Sequence, residues 1–80
     1  GEAEVLGMFL NNRAAEALAA GRQDEAAAWV GAALRQSPQL VAAWNTLALL
    51  HLRRGDAGLA LQVLRQALAA EPHNTRVMAN

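Results

Sequence analysis

The residues able to do chemistry are few and far apart. Histidine occurs twice, as His51 and His73, and cysteine is absent. Metal sites on helices draw ligands three or four residues apart, or from clustered Cys and His; the two histidines have no such neighbour. His51 is expected in a helical core and His73 at the surface. Ser37 is the only serine and sits directly before Pro38. A nucleophile needs a base beside it and a group orienting that base, and the sequence supplies neither. Glu2 and Glu4 open a helix, where negative charge favours the positive end of the dipole, so their expected role is structural. The chain is therefore predicted to be no enzyme and to carry no catalytic residue, cofactor or metal. Asparagine remains as a binding residue, because a carboxamide both donates and accepts hydrogen bonds.

Eighty residues make one small domain without room for a deep cleft. Alanine fills twenty positions and leucine thirteen; Ile, Tyr, Lys and Cys are missing, and Phe9, Trp29 and Trp44 are the only aromatics. Alanine and leucine head the helix scale, while β-branched residues are scarce, so an all-α fold is expected. Seven arginines balance seven acids, giving a net charge of zero, which disfavours nucleic acid and anionic membranes as partners. No apolar run reaches the length of a membrane span, and Gly-Glu-Ala-Glu lacks the basic start of a signal peptide. Membrane insertion is not expected, and a cytoplasmic location is. Arginine as the sole cation, with abundant alanine, suits a GC-rich bacterial genome. Gly1 in place of Met marks the chain as an expected segment of something longer.

A shift of 34 residues aligns the chain with itself. Asn11 falls on Asn45, Ala14 on Ala48, Leu18 on Leu52, Gly21 on Gly55, Ala26 on Ala60, Ala33 on Ala67, Leu34 on Leu68 and Pro38 on Pro72. Each unit reads as helix, turn, helix, turn. Val41, Trp44, Leu47, Ala48 and His51 or Leu52 recur at the three- and four-residue steps of one helix face. Gly55 breaks that helix in the manner of a left-handed cap, with Arg53 and Arg54 near the negative end of the dipole. Leu59 or Ala60, Val63, Leu64, Ala67 and Leu68 resume the period until Pro72, which ends the second helix near Ala70. The earlier unit runs from Gly7 to Ala20, turns at Gly21, and resumes at Asp24, whose carboxylate is expected to cap the next helix. The expected divisions are an extension of the first helix over 1–6, a divergent unit over 7–40, a second unit over 41–74, and the start of a third or capping helix over 75–80, with Val77 and Met78 apolar.

Trp44, Leu47, Ala48, Gly55, Ala60, Leu64, Ala67 and Pro72 at these spacings resemble the tetratricopeptide repeat. The first unit departs from the pattern at Leu10, Arg13 and Ala17, and His51 replaces an expected Tyr. The resemblance implies tandem helix-turn-helix repeats in a short right-handed superhelical solenoid. Small residues (Ala14 with Ala26 and Ala33, Ala48 with Ala60 and Ala67) are expected to let paired helices approach, while Trp44, Leu47, Leu64 and Leu68 fill the space between pairs. Trp29 is expected to pack rather than stand free. Phe9-Leu10-Asn11-Asn12-Arg13-Ala14, followed by Trp29, is also similar to repeat segments behind transglutaminase-like domains of proteobacterial proteins, in which any catalysis would belong to the other domain.

In such repeats the concave face, lined by the first helix of each unit, binds protein. The resemblance carries that role to Met8, Asn11, Asn12 and Ala15; to Ala42, Asn45, Thr46, Leu49, Leu52 and Arg53; and to Arg76, Ala79 and Asn80. Asn11 and Asn45 are the expected pair of clamps on the main chain of an extended peptide. The carboxylate clamp of chaperone-binding repeats is not carried over, because only Arg76 is cationic among its matching places. The expected function is a non-enzymatic scaffold module for a protein or peptide partner. Its rival is docking on an adjacent domain of the same chain, or a homodimer through an exposed C-terminal end, since two units fall short of the usual three.

Overall fold

The computed structural model describes residues 1–71. Over these the chain forms four α-helices: α1 (Glu2–Ala19), α2 (Gln23–Gln36), α3 (Val41–Arg53) and α4 (Ala57–Ala69). No strand occurs among the described residues. The expected third helix, with Val77 and Met78, lies outside them.

The two hairpin turns are built alike. Gly21 and Gly55 adopt φ of 81° and 83°, the left-handed region that costs residues with a Cβ about 1–2 kcal/mol. Around Gly21, the Arg22 amide donates to the Ala17 carbonyl at 2.9 Å and the Gly21 amide to Leu18 at 3.0 Å; around Gly55, Asp56 donates to His51 at 2.9 Å and Gly55 to Leu52 at 3.0 Å. This double closure satisfies carbonyls that a helix end leaves open. The turns differ at the start of the second helix. Asp56 caps α4 by accepting from the Leu59 amide at 3.0 Å. Its counterpart is Arg22, so α2 has no side-chain cap, and Asp24 lies inside the first turn of α2 rather than capping it. The Asp24 carboxylate instead accepts from Arg54. Between α2 and α3, the Trp44 indole donates to the Pro38 carbonyl at 2.7 Å and holds the proline turn against the next helix.

α1 packs on α2 and α3 on α4, and α3 also touches both helices of the preceding pair. Alanine sets the spacing: Ala14, Ala26, Ala33, Ala48, Ala60 and Ala67 are all buried, as the repeat predicted. One core cluster joins Ala14, Val30 and Ala33 to Ala43, and a second joins Ala17, Leu18 and Ala26 to Leu50, so α3 inserts into the first pair along its length. A third, of Ala48, Ala60 and Val63, holds α4, with Trp44 and Leu47 packed against it. Trp29 is half-buried against the first two clusters, with the Arg13 guanidinium 5.5 Å from its ring centre. Gly7 lies close against the end of α2: a Cβ there would lie 3.0 Å from the Cβ of Ser37, just past α2, and 3.4 Å from the Ala33 carbonyl oxygen.

The structure corrects two packing expectations. Leu64 and Leu68 do not fill a gap between pairs; both are exposed, because among the described helices α4 touches α3 alone. Leu52 points outward, and Leu50 takes the buried place at the end of α3.

Candidate functional site

α1 buries Gly7, Asn11, Ala14, Ala17 and Leu18. The steps of four and three through Met8, Asn12 and Ala15 therefore fall on another stripe of the helix, and all three are exposed. Val5 extends that stripe one turn toward the N-terminus and is exposed as well. α3 presents Ala42, Asn45, Leu49, Leu52 and Arg53 as exposed residues, with Thr46 half-buried among them. Because α1 and α3 touch, the two stripes belong to neighbouring helices. Met8, Leu49 and Leu52 leave 49%, 41% and 50% of their surface in water.

The polar groups on these stripes are largely committed. Thr46 Oγ1 donates to the Ala42 carbonyl at 3.0 Å. Arg53 Nη1 donates to the Leu18 carbonyl at 2.9 Å, bonding the last turn of α3 to that of α1. Beside it, Arg54 reaches across to α2, with Nη2 donating to Asp24 Oδ1 at 2.8 Å and Nε to Gln23 Oε1 at 3.4 Å. Carbonyls at a helix C-terminus carry partial negative charge, so Arg53 is anchored at the end of α1 through Nη1 while the residue stays exposed. The remaining ion pairs, Arg13 with Glu16 and Arg22 with Glu25, lie within single helices or their turns. The stripes thus offer methyl, methylene and carboxamide groups.

The two asparagines paired by the repeat stand in different surroundings. Asn11 is 7% exposed and its Oδ1 is buried without a hydrogen-bond partner. It lies under the stack and not on the exposed stripe, because α3 covers the surface to which it belongs. Asn45 is exposed and lines a concavity of about 280 Å³ with Val41, Leu64, Ala67, Leu68 and Glu71. The counterparts of those residues 34 positions earlier are Gly7, Asn11, Val30, Ala33, Leu34 and Ser37. In the first pair these sit beneath α3; in the second pair the same surface forms a groove. Arg76, Ala79 and Asn80 lie outside the described residues, as does His73. His51 is half-buried at the end of α3, where its carbonyl accepts from Arg54 and Asp56.

The structure places Met8, Asn12 and Ala15 on α1 and Thr46, Leu49 and Leu52 on the neighbouring α3; sequence reasoning had singled out neither Val5 and Leu61 nor the groove. The signal for Leu61 was present: it stands three residues before Leu64 and seven before Leu68. Among the described residues no group of three or more His, Cys, Asp or Glu is placed to hold a metal ion, and no helix is long and apolar enough to cross a membrane.

A family model described as tetratricopeptide repeat matches residues 41–80, half of the chain. No curated protein and no solved structure gives a match.

Proposed function

Given that the chain belongs to the tetratricopeptide repeat family, whose modules are non-catalytic scaffolds, we propose that it holds a protein or peptide segment against the exposed stripes of α1 and α3. On this reading the helix pairs stack as a short right-handed solenoid and the stripes line its concave side. The contact residues are Met8, Asn12, Ala15, Thr46, Leu49 and Leu52. Asn45 and the anchored Arg53 stand at the border, and Arg76 joins them on the sequence pattern alone. Asn11 serves packing beneath α3.

The observation carrying the proposal is the half-exposure of Met8, Leu49 and Leu52 on two touching helices whose buried faces are already filled by other residues. Apolar side chains left in water on neighbouring helices are what a partly apolar partner segment would cover. With Arg53 tied to Leu18, the chemistry that fits is an uncharged, partly apolar segment whose affinity responds little to salt. Peptides selected from a random display library on the immobilised chain supply the probe. The expected result is amide shift changes confined to α1 and α3, and at least a tenfold loss of binding in Met8→Glu/Leu49→Glu at unchanged helicity, a loss worth about 1.4 kcal/mol. Shift changes confined to α2 and α4 would refute the assignment. Docking on a neighbouring domain is the second reading, favoured by the groove between α3 and α4.

A further inference from the structure

α4 carries two apolar stripes. Ala60, Val63 and Ala67 are buried, with Ala60 and Val63 clustered with Ala48 of α3. Alongside run Ala57, Leu61, Leu64 and Leu68, at steps of four, three and four, and the three leucines are 49%, 37% and 58% exposed. This is the spacing of a seam between two paired helices. The counterparts in α2 are Ala27, Val30 and Leu34, buried or half-buried with α3 packed over them. The uncovered row is thus bulkier than its covered counterpart at two of three positions.

The chain's own surfaces restrict what can cover it. α3 enters the equivalent site on the first pair with Leu40, Ala43, Leu47 and Leu50. The α1 residues 34 positions earlier are Leu6, Phe9, Arg13 and Glu16. If a second copy continued the stack head to tail, Phe9 would take the fully enclosed place of Ala43, and the Arg13–Glu16 pair would take the places of Leu47 and Leu50. Overpacking and buried charge both oppose that arrangement. The leucine row, in contrast, complements itself. Reversed about a point beside Leu64, it sets Leu61 of one copy against Leu68 of the other and brings the two Leu64 side chains together. Between Ala57 and Ala70 the only charged residue is Arg65, which is exposed beside the row and not in it.

The geometry points to a second copy of this chain as the occupant of the groove: two molecules associate through antiparallel α4 helices, with a two-fold axis near Leu64. Each groove, walled by Val41, Asn45, Ala67 and the half-buried Glu71, receives leucines of the other copy. Such an interface is isologous, so it closes at two copies and does not propagate. It uses neither Met8 nor Leu49, and it stands or falls independently of any ligand on α1 and α3.

Sedimentation of the intact chain from micromolar to millimolar concentration tests it, with the mass expected to double. Leu64→Glu and, separately, Leu68→Glu should hold the mass at one chain while far-ultraviolet circular dichroism stays unchanged. Because the chain has no cysteine, Leu64→Cys should form an interchain disulfide on mild oxidation and Asn12→Cys should not. A single-chain mass at every concentration would overturn the proposal. So would a disulfide between copies carrying Phe9→Cys and Leu64→Cys, which would mean head-to-tail contact. An intramolecular disulfide in monomeric Leu64→Cys/Met78→Cys would assign the groove to residues 72–80 instead.

Discussion

Ala60 and Ala69 share one helix and differ in what surrounds them: Ala60 is 1% exposed and Ala69 stands in water. Replacing either with leucine adds three carbons and changes intrinsic helix propensity only slightly, so the difference between the two variants isolates packing. At Ala60 the added carbons must enter a space shared with Ala48 and Val63, against which Trp44 and Leu47 already pack. Overpacking of this kind costs about 1–3 kcal/mol, and in a domain this small each kcal/mol moves the melting temperature by about 4–8 °C. A mid-range cost of about 2 kcal/mol therefore lowers Tm by roughly 8–16 °C for Ala60→Leu. An exposed substitution such as Ala69→Leu stays within about 0.5 kcal/mol. Thermal unfolding followed by far-ultraviolet circular dichroism, at one fixed chain concentration, reads both. Ala26→Leu, the same position in the first pair, should reproduce the loss. Equal shifts for Ala60→Leu and Ala69→Leu would mean that alanine does not set the helix spacing, and the account of the fold would fail with it.

Glycine substitutions should differ in sign along the chain. Gly55→Ala forces a Cβ into left-handed backbone at a cost of about 1–2 kcal/mol, with no neighbour within 4 Å to add a clash, and Gly21→Ala should match it. Gly31→Ala lies within α2, where the nearest side-chain atom is Arg35 Nη1 at 3.5 Å, so it should raise Tm by the equivalent of about 0.5–1 kcal/mol. Asp56→Ala removes the bond to the Leu59 amide and should cost about 0.5–2 kcal/mol; Asp24→Ala, which removes no cap, should cost less in the same melting experiment. Asn11→Ala deletes a buried acceptor without a partner, a defect worth about 1–3 kcal/mol, and should leave Tm unchanged or raise it. A fall in Tm for Asn11→Ala that the near-isosteric Asn11→Leu does not relieve would show that the carboxamide makes a bond the structure lacks.

The features legible in the sequence are those fixed by short-range rules. Left-handed glycines, helix-ending proline and alanines at contact points are each required by local geometry, so Gly21 and Gly55 were readable from their spacing, and six of the eight buried alanines from the 34-residue repeat and the resemblance it carries; Ala17 and Ala43 were not. What escaped depends on neighbours distant in sequence. Asn11 and Asn45 are equivalent by the repeat, yet one is buried and the other open: α3 follows the first pair and packs on it, and no described helix follows the second. Asp24 looked like a cap because it opens an apolar run; the 34-residue shift instead aligns the cap Asp56 with Arg22, and Asp24 is left to pair with Arg54, 30 positions away. The bond from Arg53 to Leu18 spans 35 positions, and no periodicity announces it.

Among the described helices α4 has one neighbour, and this grades stability along them. α3 is clamped on two sides, whereas α4 can separate from α3 without disturbing the Ala14–Val30–Ala33–Ala43 cluster. In a single copy, such as the Leu64→Glu chain, partial opening therefore begins at α4, and its amides exchange with deuterium sooner than those of α1 through α3. Of the arginines within the described helices (Arg13, Arg35, Arg53 and Arg65), trypsin should cut first after Arg65, inside the helix that detaches, and ligands on the α1 and α3 stripes would leave that end as labile as before.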